Sequence, residues 1–416
     1  MFYQCNKNYF IHCYCVTDNY VFLVESPFSN NFNCKLKYFH KEDINKNVLN
    51  LQLTRNKASV TFPNEGRNST VIKSIHLVNV PNLKKGNLEI CHFLIINKGN
   101  AIQICSLDEL ILSVAETGVT SDTFQQWEIT NVNVSITSIY AQGYKDNTII
   151  VTYCTTMSDI VQFRYDIHKK HFQKIKLSIP LSNIKDQIMD SIINISGIQL
   201  GINYPSIENE SLWSTLSSSQ IMTISSADNT IYVIVNDKLE KLPIKYYTEG
   251  VNFDNSNNND IHDGQLVWSD VVVVKKYTKV TKVYVVANVT NIGVILFKRS
   301  KDGFWDKVCT FKKRNAITER EKEEFESNAL IDCKIYLRQD LNVITVLSGS
   351  ESNHLYRWDY NYIDETIIDH QIYEIDHLIN DDEDNGGIPS SPVYCISANC
   401  KKQIFFYLET TLALII

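Results

Sequence analysis

Alanine is rare in this chain, which disfavours long helices. Glycine (14) and proline (8) are scarce as well. No stretch approaches roughly 18 uninterrupted apolar residues, so no membrane span is expected. The N-terminus, Met1-Phe2-Tyr3-Gln4-Cys5-Asn6-Lys7, lacks a basic segment followed by a long apolar one, so no signal peptide is expected. Positive charge is not in excess: 40 Lys and Arg face 47 Asp and Glu, for a net charge of −7. Stand-alone nucleic-acid binding needs a basic footprint, and direct nucleic-acid contact is therefore not expected. Phosphate cradles of the G-x-x-x-x-G-K-[ST] and G-x-G-x-x-G kinds are absent, as is a G-x-S-x-G nucleophile elbow.

What the chain does have is strand-forming material. Tyrosine (22) and phenylalanine (18) are plentiful among recurrent Val, Ile and Thr. Asparagine gathers in polar clusters such as Asn255 and Asn257–Asn259, which suit turns. Apolar residues make up 44% of the 416 residues, enough for a sizeable core and against global disorder. The eleven cysteines are scattered and odd in number, and Cys13, Cys15, Cys91, Cys154 and Cys395 sit inside apolar runs. That usage predicts buried free thiols in a reducing compartment rather than a disulfide scaffold. The Asn-x-Ser/Thr triplets at Asn68, Asn133, Asn194, Asn209 and Asn288 are read as chance in an Asn-rich chain.

One pattern recurs along the whole chain: an apolar run, a short polar turn and a second apolar run, the mark of a β-hairpin. The seven copies are Phe10–Val16 with Tyr20–Val24, Ile90–Ile96 with Ala101–Cys105, Thr148–Cys154 with Ile160–Tyr165, Ile221–Ile224 with Thr230–Val235, Lys282–Asn288 with Gly293–Phe297, Asn342–Leu347 with His354–Trp358, and Gln403–Leu408 with Leu412–Ile416. Their turns are spaced by 81, 59, 70, 63, 61 and 58 residues. Such units cannot each bury an apolar face alone, whereas a radial arrangement gives them a shared core. Preceding strands are expected at Val134–Tyr140, Gln265–Val274, Cys333–Leu337 and Val393–Ala398, and following strands at Cys34–Phe39 and Trp305–Phe311.

The reading is an all-β, seven-bladed β-propeller forming a single domain over residues 1–416, with polar loop insertions and one or two short helices. The insertions are placed at about 26–73, 181–210, 238–263, 312–331 and 361–387. Short helices are expected within Leu107–Val119, around Lys185–Ile193, and at Thr318–Leu330, where Thr318 and Glu321 form a capping box. Met1–Cys5 supplies either the outer strand of the last blade or the innermost strand of the first.

The stretch Val346-Leu347-Ser348-Gly349-Ser350-Glu351-Ser352-Asn353-His354-Leu355-Tyr356-Arg357-Trp358-Asp359 resembles the second half of a WD repeat, with its small-residue strand end, acidic turn and Trp-Asp dipeptide. Ile224–Tyr232 is similar without the dipeptide, and Tyr165-Asp166 occupies the corresponding place in the third unit. The Gly-His element that opens a WD repeat is absent, so the resemblance is to a degenerate WD-type propeller.

Candidate chemistry is sparse. His12, Cys13 and Cys15 lie in one strand, where alternation sets His12 on the opposite face from the two thiols, and no second ligand pair of zinc spacing follows. His168 and His171 flank Lys169 and Lys170 in what reads as a solvated turn. Ser348-Gly349-Ser350 reads as packing. Asp263, Asp270, Asp302 and Asp306 fall mostly in loops. No catalytic, metal-binding or cofactor-binding residue is assigned, and no enzymatic activity or cofactor is expected.

Phosphoinositide-binding propellers of the PROPPIN family carry Phe-Arg-Arg-Gly in a late blade. Phe297-Lys298-Arg299-Ser300 is the nearest stretch and lacks the Arg pair and the Gly. The acidic run Asp381-Asp382-Glu383-Asp384 reads as a solvated loop, with an interaction segment as the sharper alternative. An exposed residue among Trp127, Trp213, Trp268, Trp305 and Trp358 would serve as a partner anchor.

The function expected is that of a non-catalytic protein-interaction scaffold. It would be a subunit of an intracellular, nuclear or cytoplasmic, multiprotein complex whose partners are other protein subunits. A phosphoinositide-binding propeller, a substrate receptor and a propeller enzyme are the alternatives.

Overall fold

The computed structural model describes residues 2–4, 9–16, 20–27, 34–40, 59–60, 72–84, 87–116, 123–129, 133–144, 147–175, 192–197, 221–226, 230–235, 238–244, 266–276, 279–289, 293–311, 330–350, 354–374, 394–398, 404–407 and 411–415. The chain divides into two compact units. One comprises Met1–Lys185, Gln199–Ser218 and Ser397–Ile416; the other comprises Asp186–Ile198 and Ser219–Ile396.

Among the described residues the strands fall into seven four-stranded sheets, and every pairing given a direction is antiparallel. The N-terminal strand is β1 (Phe2–Gln4). The next three sheets are β2 (Tyr9–Val16), β3 (Tyr20–Pro27), β4 (Lys35–His40) and β5 (Ser59–Val60); β6 (Ser74–Lys84), β7 (Asn87–Asn97), β8 (Ala101–Ser106) and β9 (Gln125–Glu128); and β10 (Ile136–Tyr144), β11 (Thr148–Thr155), β12 (Ile160–Asp166) and β13 (His171–Ile175). The second unit holds β14 (Ile192–Gly197), β15 (Met222–Ser226), β16 (Thr230–Val235) and β17 (Lys238–Lys241); β18 (Leu266–Lys276), β19 (Lys279–Val289), β20 (Gly293–Arg299) and β21 (Trp305–Phe311); and β22 (Leu330–Arg338), β23 (Val343–Ser350), β24 (His354–Asn361) and β25 (Thr366–Glu374). In each of these six sheets the spatial order follows the chain. The last sheet adds β26 (Tyr394–Ala398), β27 (Ile404–Tyr407) and β28 (Thr411–Ile415) to β1, in the order β1–β28–β27–β26. Tyr3 pairs with Leu412 in that sheet, so the N-terminal strand completes the last sheet as its fourth member.

All seven sequence-derived hairpins are present, at β2–β3, β7–β8, β11–β12, β15–β16, β19–β20, β23–β24 and β27–β28. Alternation along the strands explains how the sheets pack. In the first unit Leu94 and Ile96 of β7 share a core with Phe22, Val24 and Leu36. Their neighbours Phe93 and Ile95 join Ile139, Val151 and Phe163 on the other face. In the second unit Tyr284, Val286 and Leu296 pack with Ile344, Val346, Tyr356, Trp358 and Tyr360. First strands of successive sheets adjoin within each unit: β2 with β6, β6 with β10, β14 with β18, and β18 with β22. Face-packed four-stranded meanders with adjoining first strands follow the β-propeller plan, and the fold class is all-β, β-propeller.

The close approach of first strands depends on Gly143 of β10. A Cβ there would lie 2.3 Å from the Asn79 carbonyl oxygen and 2.8 Å from Val80 Cγ2 of β6. The first obstacle is backbone and cannot rotate aside. Gly143→Ala is therefore expected to destabilise by about 2 kcal/mol or more, read as a lowered denaturation midpoint. An unchanged midpoint would show that β6 and β10 are not in contact.

One helix, α1 (Leu107–Glu116), lies among the described residues where the sequence places one, and it buries Leu107 and Leu110. The other expected helices meet strands or lie outside the described residues. Ile192 opens β14, Leu330 opens β22, and 185–191 and 318–329 are not described. The polar stretches 26–73, 238–263 and 361–387 supply third or fourth strands, namely β4 and β5, β17, and β25. Fourth strands bury little, so they carry no apolar run: Lys238 and Lys241 of β17 are exposed and Leu239 and Glu240 half-buried.

Candidate interaction surface

Three turns of the second unit share one edge of their sheets: 300–304 between β20 and β21, 339–342 between β22 and β23, and 362–365 between β24 and β25. Each turn is fixed by its own hydrogen bonds. In the first, Ser300 N–H donates to the Phe304 carbonyl at 2.7 Å and Phe304 N–H donates to Ser300 Oγ at 3.0 Å. Gly303 supplies the left-handed residue there, with φ +90°. In the third, Asn361 Oδ1 accepts from the N–H groups of Ile363 (2.9 Å) and Asp364 (3.1 Å).

Longer links tie the turns to one another. Tyr362 N–H donates to the Asn342 carbonyl at 3.1 Å and its hydroxyl to Asn342 Oδ1 at 3.0 Å. Lys282 reaches from β19 to the Tyr362 carbonyl at 2.9 Å and lies over its ring. Lys298 pairs with Glu365 at 2.8 Å. Arg299 holds Glu240 of β17 in a two-pronged pair at 2.6 and 2.8 Å, and Trp305 Nε1 donates to the same carboxylate at 2.9 Å. The electrostatics follow from these contacts. The hydrogen bond from Lys298 holds the Glu365 carboxyl below its usual range. The hydrogen bond to Glu240 raises Arg299 further, and burial followed by repulsion from Lys298 lowers Lys282.

On this stitched frame stand three large apolar side chains in water: Phe304 (72% exposed), Ile363 (59%) and Leu341 (49%). Ile367 and Ile368 extend the apolar surface along β25. Sequence reasoning looked for an exposed tryptophan and missed all five of these residues. Trp305 and Trp358 are buried; Trp127 is half-buried, stacked on Phe163 at 4.8 Å; Trp268 is half-buried beneath Lys334; and Trp213 lies outside the described residues. The available signal was an aromatic closing a polar turn, Lys301-Asp302-Gly303-Phe304, and an isoleucine opening another, Ile363-Asp364-Glu365.

The sequence-derived candidates are not brought together. Cys13 and Cys15 share one core, as alternation requires, and the His12 side chain lies outside the described residues. His168 and His171 are exposed, beside a Lys169–Asp166 pair. Ser348 Oγ is buried and donates to the Asp332 carbonyl at 2.6 Å. Asp270 is buried and ties three first strands together. It accepts from Ser196 Oγ at 2.6 Å, from its neighbour's N–H at Val271 (3.0 Å) and from Ile335 N–H at 3.2 Å. Asp302 and Asp306 are exposed, and Asp263 and the run Asp381, Asp382, Glu383 and Asp384 lie outside the described residues. Asn288 is fully buried with its amide donating to the Leu330 carbonyl at 2.8 Å.

The described thiols that shift are not activated. Burial raises the thiols of Cys105, Cys154 and Cys333, and pushes Cys309 up to about 12, so none of them is a thiolate near neutrality. Among the described residues no group of three or more His, Cys, Asp or Glu is placed to hold a metal, and no helix is long and apolar enough to cross a membrane. The dipeptide Trp358-Asp359 straddles its sheet. Trp358 stacks on Tyr356 and Phe311 in the core. Asp359 accepts from Thr345 Oγ1 (2.7 Å), Arg338 Nη2 (2.7 Å) and Arg357 Nη2 (2.8 Å).

No family model and no curated protein matches the sequence. Among solved structures, the chain is similar to BBS1N in complex with ARL6DN, soaked with lead, at 10% identity and a TM-score of 0.48, over 97% of this chain and 91% of that one. The same complex soaked with mercury matches at 9% identity and a TM-score of 0.48, over the same shares.

Proposed function

We propose that this protein is a non-catalytic interaction platform: a degenerate WD-type propeller whose seven sheets are seven blades. It serves as a subunit of an intracellular, nuclear or cytoplasmic, multiprotein complex. The observation that carries the reading is the edge bearing Phe304, Leu341 and Ile363, apolar side chains held in water on turns fixed by hydrogen bonds and ion pairs. Such residues on a rigid scaffold are a recurrent sign of a protein-binding face. Cys105, Cys154 and Cys333, buried without disulfides, support a reducing compartment. The phosphoinositide alternative finds less support, because Arg299 and Lys298 are already held by Glu240 and Glu365.

The test is affinity purification of the tagged full-length protein at physiological salt, beside a Phe304→Asp/Ile363→Asp double variant. The wild type is expected to retain stoichiometric protein partners. The variant is expected to lose them while its melting temperature stays near wild type, because both side chains are exposed. Partners that survive the double substitution, or a wild type that elutes alone, would overturn the reading. Vesicles carrying phosphoinositides provide the competing arm: binding that depends on Arg299 would favour the lipid alternative.

A further inference from the structure

The fourth strands of the sheets are guarded unequally. β5, β9, β13 and β17 have two, four, five and four residues. Exposed lysines mark β13 (Lys174), β17 (Lys238 and Lys241) and β21 (Lys307). Short length and lysine are the usual means by which sheet edges discourage strand pairing. β25 departs on both counts: it has nine residues, TIIDHQIYE, and no lysine, arginine or proline, its ladder to β24 being interrupted at one point, by a register shift at Ile368. Residues 366–370 are exposed throughout, including Ile367 (46%) and Ile368 (53%). Among the described residues no strand lies beyond it.

Charge selects what such an edge would accept. The turn before β25 and the exposed half of the strand, residues 363–370, carry no lysine or arginine and expose Asp364, Glu365 and Asp369, of which Glu365 is paired with Lys298. A second copy of the same strand would bring like charges together, whereas a basic strand would be attracted. The His370 N–H donates to the Asp369 carboxylate at 2.9 Å.

We infer that β25 is a strand-addition site for an extended, basic, β-forming segment of a partner protein, held by main-chain hydrogen bonds and by contacts to Ile367, Ile368 and Asp369. The inference rests on the interaction-platform reading and supplies one partner chemistry for it.

The probe is a labelled octapeptide of alternating lysine and valine, with an alternating glutamate and valine peptide as control. Against the full chain, the lysine peptide is expected to slow amide exchange within 366–374 and to bind more weakly as salt is raised. The glutamate peptide is expected to do neither. Ile368→Lys, which sets a cation on the edge, and Asp369→Lys, which reverses the charge that meets the peptide, are each expected to weaken lysine-peptide binding at least about tenfold. Absence of slowed exchange, equal binding of both peptides, or unchanged binding in both variants would overturn the inference. Cellular partners lost on Phe304→Asp/Ile363→Asp but kept on Ile368→Lys would sink strand addition and leave the platform standing. Peptide binding at β25 with no cellular partner that depends on Phe304 or Ile363 would do the reverse.

Discussion

Trp358→Ala is expected to lower the free energy of unfolding by about 3–5 kcal/mol. The indole is 2% exposed and is among the largest fully buried side chains. It is stacked on Tyr356 at 5.6 Å, on Phe311 of the neighbouring sheet at 5.5 Å and against His370 at 5.4 Å. Truncation removes its transfer energy and leaves a cavity whose walls include β21, β24 and β25, each fixed by its own ladder and poorly able to collapse. Trp358→Phe keeps a ring in the stack and is expected to recover more than half of the loss. The measurement is the denaturant midpoint. A shift of less than about 1 kcal/mol for the alanine variant would mean that the two sheets do not share this core.

Asp359→Ala is expected to cost on the order of 3 kcal/mol. The carboxylate is buried and receives the two guanidiniums of Arg338 and Arg357 together with the Thr345 hydroxyl. Its removal leaves two half-buried cations facing each other and Thr345 without this acceptor. The discriminating measurement is a double-mutant cycle with Arg357→Met. If charge imbalance dominates, the second substitution is expected to restore part of the stability lost in the first. Strictly additive losses would contradict that explanation. The pairing of a core tryptophan with a hydrogen-bonded aspartate on the opposite face gives the Trp-Asp dipeptide two separable jobs.

The repeat was legible because middle hairpins such as β19–β20 are buried on both faces. Runs such as Tyr284-Val285-Val286-Ala287 and Val294-Ile295-Leu296-Phe297 are fully interior and stand out in any reading of the sequence. Fourth strands were harder to see. β13 exposes most of its residues, β17 exposes half of its own, and β25 is wholly exposed over its first half, so each reads as polar loop. Closure of the last sheet by β1 was one of two arrangements that the sequence allowed, and pairing of Tyr3 with Leu412 selects it. The candidate surface was least legible. Whether Phe304 or Ile363 faces water is decided by turn geometry and by partners such as Asn361, Asn342 and Lys282, distant in sequence or apparent only in space. Arg299 illustrates the converse: read alone it is a surface cation, and only the fold brings Glu240, 59 positions away, onto it.

The most direct test of the interaction-platform reading is site-specific photo-cross-linking in living cells. A benzophenone amino acid is placed at Phe304 or Ile363, with the exposed Lys169 of the other unit as control. The reading predicts a discrete covalent adduct to the same protein from both 304 and 363 and none from 169. Adducts of equal yield from all three positions, or none from 304 and 363, would contradict it.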